Sequence, residues 1–194
     1  MKLDKKTKIL ICLNVAIIAV VLIADLISKH FTTGYDTAKS IIPYIINFKS
    51  SQNTGAAWSI FSGSTIALII ITFVAIALIT FYAIWSKNKS YLFNISISLI
   101  LSGAIGNLID RLIFGYVRDF IQFDFWKSFP IFNLADAALT IGVVCLCIYY
   151  LIQIIKEYKN KKNKDKNDDK NDDKNKDKNK DKNDDKNNKI NIEK

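Results

Sequence analysis

Histidine occurs once in this 194-residue chain, proline twice, cysteine three times and glycine seven times. The lone His30 and three cysteines without a Cys-x-x-Cys spacing cannot supply the roughly four N, S or O ligands of a zinc site. Cys12, Cys145 and Cys147 all lie within apolar runs, where thiols are expected to pack as small hydrophobes. A disulfide framework is therefore excluded, and so little glycine and proline excludes a collagen-like chain. Charge is also scarce, but only in one part of the chain. Of 27 Lys and Arg, 15 fall in residues 156–194, and of 18 Asp and Glu, 11 do. The first 155 residues hold no Glu and are only about 12% charged, half the ordinary globular share of about 25%. A water-soluble enzyme with one core does not fit that composition.

What replaces charge is a set of four long apolar stretches. They run from Ile9 to Ala24 (reaching about Lys29 across one Asp), Thr65 to Trp85, Tyr91 to about Ile109, and Asn133 to about Ile155. About 20 helical residues span a hydrocarbon core of about 30 Å, so all four qualify as membrane helices. The third is the most polar, with Asn94, three serines and Asn107. The first follows Lys2, Lys5, Lys6 and Lys8 like a signal peptide, but Leu22-Ile23-Ala24-Asp25 has no small-x-small cleavage pattern. It reads as an uncleaved helix. Cys12 is no lipidation site either, because Ile9-Leu10-Ile11 lacks the small residues of a lipobox.

Basic residues set the orientation. The N-terminal lysines, Lys87 and Lys89 in the link between the second and third stretches, and Lys156, Lys159, Lys161 and Lys162 fall on one side of a four-span chain. By the positive-inside bias that side, with both termini, is cytoplasmic. Two loops, about 35 residues (30–64) and about 20 residues (111–132), then lie outside. Within them Ile41–Phe48 and Tyr116–Phe125 are candidate strands. The expected organisation is an all-α membrane domain over 1–155, with four transmembrane helices and a small extracytoplasmic β-rich region. A tail over 156–194 follows. That tail is a degenerate repeat of Lys, Asn and Asp with three apolar residues, too polar to fold, and is expected to be a disordered cytoplasmic segment. Its interleaved Asp argues against binding nucleic acid or headgroups.

Polar residues beside a bilayer are costly, so their positions carry information. They form four clusters. Asp25-Leu26-Ile27-Ser28-Lys29 closes the first stretch, with Asp25 and Lys29 at i, i+4 able to pair. Ser28 and Lys29 are neighbours and cannot face each other as a Ser–Lys nucleophile. Asn53-Thr54-Gly55-Ala56-Ala57-Trp58-Ser59 is a turn followed by small residues. Ser102 to Leu112, with Gly103, Gly106, Asn107, Asp110 and Arg111, leads into Val117-Arg118-Asp119-Phe120. Phe132-Asn133-Leu134-Ala135-Asp136 opens the last stretch, where the bland alternative is helix capping, with Asn133 as N-cap and Asp136 as the N3 acid.

Topology brings two of these together. Only 16 residues separate Asp119 from Asp136, in a loop that leaves the membrane and returns to the same face. Two close carboxylates share one proton, the arrangement in which an ionised Asp activates water and a protonated one polarises the scissile carbonyl. Asp136, near a helix start, is expected to be the ionised member. The rival reading is a carrier or channel using Asp25, Lys29, Asp110, Arg111 and Asp136 as an ion path. A third is a scaffold whose tail recruits a cytoplasmic partner.

The four clusters, in this order on four spans, resemble lipoprotein signal peptidase (signal peptidase II) over roughly residues 9–155. The pattern Gly-Gly-Ala-x-Gly-Asn-x-x-Asp-Arg with Val-x-Asp-Phe, and the pattern Phe-Asn-x-Ala-Asp, are together the most specific part. Ser102 departs from the first glycine, and Trp58-Ser59 departs from Phe-Gly. The resemblance implies a bacterial cytoplasmic-membrane aspartyl protease. It would remove signal peptides from diacylglyceryl-modified prolipoproteins, cutting just before the lipidated Cys. Asp119 and Asp136 would be the catalytic pair. Asn53, Asn107, Arg111 and Asn133 would bind substrate backbone or the pair, with Asp25, Lys29, Gly55 and Gly106 in supporting roles. It also implies no metal or organic cofactor, contact with membrane lipids, and globomycin-type inhibitors. Asp124 is an ordinary loop carboxylate on this reading.

Overall fold

The computed structural model describes the backbone of residues 4–55 and 63–190, and side chains of 4–55 and 63–162. The chain divides into two units, 1–149 and 150–194. In order it forms helix α1 (Lys5–Thr32), strands β1 (Lys39–Ile42) and β2 (Ile46–Asn53), helices α2 (Thr65–Ser86) and α3 (Tyr91–Phe114), strand β3 (Val117–Phe123) and helix α4 (Leu134–Ile190). Four helical stretches are long and apolar enough to cross a membrane: Lys5–Thr32, Thr65–Ser86, Tyr91–Phe114 and Leu134–Lys162. The tail expected to be disordered falls mostly on residues whose side chains lie outside the described set, and its backbone is helical as far as Ile190.

The most polar span is the central one. In its most apolar window α3 is 56% buried within the protein, against 6–17% for the other three. Phe93, Ile97 and Leu101 recur every four residues on one face of α3 and build the apolar core with Tyr149 of α4. Farther along, small residues replace large ones. A Cβ on Gly103 would collide with the Ala135 carbonyl oxygen, and one on Gly142 would lie 2.9 Å from both Ile100 N and Ser96 O. The obstacles are backbone atoms, so α3 and α4 touch main chain to main chain, the contact small residues permit between membrane helices. The buried hydroxyls of Ser96 and Ser102 donate to carbonyls of their own helix, at 2.7 and 2.9 Å. Gly103→Leu is expected to cost at least the ~1–3 kcal/mol typical of overpacking. Thermal unfolding in detergent should show a clear drop in midpoint, and an unchanged midpoint would contradict this packing.

Two readings need correction. Cys12 and Cys147 are exposed and Cys145 is only partly covered, so these thiols do not pack in the core. In a membrane helix the outward face is as apolar as the inward one, and apolar surroundings in sequence do not reveal which face a residue takes. Secondly, Ile41–Phe48 is not one strand. It contains the end of β1, a turn and the start of β2, which pair antiparallel through Lys39↔Phe48 and Ile42↔Ile46. Pro43 cannot donate to a ladder and Tyr44 takes φ +63°, so the chain reverses there. β2 then pairs antiparallel with β3, giving the sheet order β1-β2-β3.

Candidate active site

The site is assembled where α3, β3 and the start of α4 meet. α3 ends at Gly115, whose φ of +80° suits a residue without a side chain. β3 follows at once, and the two-residue period of a strand puts Asp119 on one face with Val117 and Ile121, while Phe120 on the other face is buried too. Asp119 is paired in register with Ser51 of β2, two residues from Asn53.

Asp119 and Asp136 are held by one set of amides. Asn133 donates from Nδ2 to Asp119 Oδ1 at 2.6 Å and from its backbone N–H to Asp136 Oδ2 at 3.1 Å. Asn53 Nδ2 donates to the other Asp119 oxygen at 2.9 Å, and Asn107 Nδ2 donates to Asp136 Oδ1 at 2.7 Å. Asn133 Oδ1 accepts from Asp136 N at 2.9 Å. The capping box anticipated as a competing explanation is thus present, and the same asparagine still reaches Asp119. Its Oδ1 serves the helix while its Nδ2 serves the carboxylate.

Burial pushes the Asp119 carboxyl up to about 7, and the neighbouring Asp136 charge adds to the rise, against the hydrogen bonds from Asn53 and Asn133. Asp119 is only 2% exposed. Desolvation and a like charge both disfavour the ionised form.

Beneath the pair lies a cluster of charges. Lys29 Nζ is 2.7 Å from Asp25 Oδ2 and 3.3 Å from Asp110 Oδ2, and donates to Asn107 Oδ1 at 3.2 Å. All three charged residues are fully buried, so Asp25–Lys29 is more than a pair at the helix end. Asp25 Oδ1 also accepts from Ala135 N at 3.0 Å, an orphan donor of α4's first turn. Gly106 makes room for this, since a Cβ there would come within 2.7 Å of Asp25 Oδ2. Ser28 Oγ donates to Asp25 O at 2.9 Å, away from the cluster.

Arg118 escaped sequence reasoning. It grips Asp110 three times, from backbone N at 2.9 Å, Nε at 3.3 Å and Nη2 at 2.8 Å. Asp110 therefore belongs with Lys29 and Arg118 rather than with its neighbour Arg111. Arg111 Nη2 donates to Gly55 O at 3.0 Å, and Gly55 N donates to Asn53 Oδ1 at 3.0 Å. Arg111 Nε has no partner among the described residues. Residues 56–59 of the second motif, Trp58 included, lie outside the described residues. Asp124 sits apart from the site, accepting from Asn47 Nδ2 at 3.0 Å.

A chain with four helices long and apolar enough to cross a membrane, which holds a buried Asp119 and a half-buried Asp136 through one asparagine, is in class a multi-pass membrane protein with a carboxylate site. Comparison with known proteins narrows the class. The signal peptidase II family model matches residues 17–152. The lipoprotein signal peptidase of Lactobacillus johnsonii is 42% identical over 147 residues, 76% of this chain and 94% of that protein. That of Staphylococcus aureus is 36% identical over 156 residues, 78% of this chain and 93% of that one. A solved structure described as a bacterial membrane enzyme superposes with a TM-score of 0.71 at 34% identity, covering 74% of this chain and 90% of the other. The chain belongs to the signal peptidase II family, and its activity is that of a peptidase removing signal peptides from prolipoproteins.

Proposed function

We propose that the chain is an aspartic endopeptidase acting on diacylglyceryl-modified prolipoproteins, with Asp119 and Asp136 as the catalytic pair. It cuts just before the lipidated cysteine at the extracytoplasmic face of the cytoplasmic membrane. The observation that carries this reading is the shared cradle. Asn133 donates to both carboxylates, and burial favours the protonated form of Asp119. Asp136 acts as the base. It takes a proton from water as the water oxygen bonds to the scissile carbonyl carbon, while protonated Asp119 donates a hydrogen bond to the carbonyl oxygen. The tetrahedral intermediate collapses as Asp136 returns that proton to the leaving nitrogen and the C–N bond breaks. Asn53, Asn107 and Asn133 hold the pair, and Arg111, whose Nε has no partner among the described residues, receives substrate backbone. The basic termini and the link between α2 and α3 are cytoplasmic by the positive-inside bias.

The site lies where α3 ends and α4 begins, the level of a scissile bond between a membrane-buried signal helix and a lipid-anchored cysteine. Globomycin-type cyclic peptides are expected to compete there. Purified full-length protein in lipid nanodiscs should release from a diacylglyceryl lipobox peptide a product whose new N-terminus is the modified cysteine. The unlipidated peptide should remain whole. Cleavage at another bond, or ion flux in liposomes unaffected by lipopeptide, would overturn the proposal.

A further inference from the structure

Asp119 stands on a strand that needs an anchor on each side of it. α3 passes into β3 through Gly115 and Tyr116 alone, and a Cβ on Gly115 would meet nothing within 4 Å. No packing at that glycine sets the direction in which β3 leaves. The sheet ladder is also irregular here. Between Ser51↔Asp119 and Phe48↔Ile121 the register shifts, and such a bulge re-aims the side chains beside it. After Asp119 the strand is tied toward α4, because Phe120 N and Ile121 N both donate to Phe132 O, at 3.0 and 2.8 Å. Before Asp119 the tie to α3 is Arg118.

Arg118 closes the turn between α3 and β3. Its backbone N, Nε and Nη2 all donate to the Asp110 carboxylate. Its guanidinium also lies over the Phe114 ring, 4.5 Å from the centroid, a cation–π contact. One side chain thus grips two residues of the last turns of α3. Asp110 is a firm anchor, fully buried and 3.3 Å from Lys29 Nζ. On its other side Arg118 meets the amide that holds Asp119. Asn133 Nδ2 donates to Arg118 O at 3.5 Å and to Asp119 Oδ1 at 2.6 Å. A shift of Arg118 moves the peptide unit that carries Asp119, and with it the fit of that carboxylate to Asn53 and Asn133.

We infer that Arg118 is a positioning residue for the cut, fixing Asp119 opposite Asp136 by clamping the start of β3 to Asp110. The inference rests on the proposed role of Asp119. It requires a guanidinium and not a positive charge alone. Nε and Nη2 reach the two Asp110 oxygens as a planar fork, which a lysine ammonium does not reproduce.

The test compares Arg118→Lys, Arg118→Met, Asp119→Asn and Ile97→Ala in the full chain in nanodiscs, by steady-state cleavage of a diacylglyceryl lipobox peptide and by melting. Ile97 belongs to the apolar core with Phe93 and Tyr149, so its truncation lowers the midpoint without altering the site. Misplacing a reacting group by about 1 Å costs up to ~10²-fold in rate, so Arg118→Met should lower kcat by about that factor. Arg118→Lys keeps the buried charges balanced and should fold, yet lower kcat about tenfold with KM within about twofold of the parent. Ile97→Ala, assayed below its midpoint, should keep the parental kcat. Should Arg118→Met fail to fold, Arg118→Lys decides. Parental kcat in Arg118→Lys, beside an inactive Asp119→Asn, would overturn the inference and leave the catalytic pair standing. A kcat loss that Ile97→Ala reproduces at an equal fall in midpoint would reduce Arg118 to a stabilising residue and overturn it too. Activity in Asp119→Asn would overturn the pair itself, and the positioning of Asp119 with it.

Discussion

Asp119→Asn and Asp136→Asn should each lower kcat/KM on a lipidated peptide by about 10³-fold or more, the range set by general acid–base groups. Asp124→Asn, apart from the pair and bonded to Asn47 on the hairpin side, should leave it unchanged. The Asp119 variant makes a second prediction of opposite sign. Its carboxyl stands at about 7 against an ordinary 3.8. The folded chain therefore binds more protons than the unfolded chain between those values, and stability falls as pH rises from about 4 to about 7. Asparagine removes that penalty, which grows by ~1.4 kcal/mol for each pH unit crossed in that interval. At pH 8 Asp119→Asn should thus be inactive yet melt higher than the parent protein. A variant that is inactive because it unfolds would melt lower, so one melting curve separates the two causes.

The largest loss of stability is expected at Lys29. Its ammonium is fully buried between Asp25 and Asp110, and Arg118 supplies the second cation. Two positive and two negative charges balance. Lys29→Met leaves two buried carboxylates facing one guanidinium. Breaking a buried pair in this way costs ~3–5 kcal/mol, which for a chain of this size lowers the melting midpoint by roughly 10 °C or more. The Lys89–Asp4 pair at the other end of the bundle is exposed on both sides, and water already solvates both charges. Lys89→Met should leave the midpoint unchanged. Equal melting of the two variants would contradict the buried cluster.

The spans are legible in the sequence because hydrophobic length is a local property. Hydropathy predicts Thr65–Trp85, and the helix covers Thr65–Ser86. For the third span it predicts an end at about Ile109, whereas α3 continues to Phe114. Its last turns hold Asp110 and Arg111, whose charges look like an exit from the membrane until their partners are known. Asp119 and Asp136 can be brought to one face from topology alone, because the loop between them is short. The amides on each carboxylate cannot be assigned that way. Asn53 lies 66 residues before Asp119, and nothing in either segment states that β2 pairs with β3 in that register. The same limit hides Arg118. Beside Asp119 it looks like an ordinary strand residue, and its importance comes from Asp110 across the turn at Gly115. Lys29 is readable as a partner of Asp25 by helical spacing, but Asp110, some 80 residues on, turns that pair into a neutral buried cluster.

The central claim is that Asp119 and Asp136 work as one pair carrying a single proton. It is tested most directly by kcat/KM for the lipidated peptide as a function of pH. The protonated Asp119 must be lost as pH rises through about 7, so activity should fall on the alkaline side with an apparent midpoint near that value. That limb belongs to the pair rather than to either residue. A rate that stays level or keeps rising through pH 9 would contradict the account, since no carboxyl proton would then be needed for the cut.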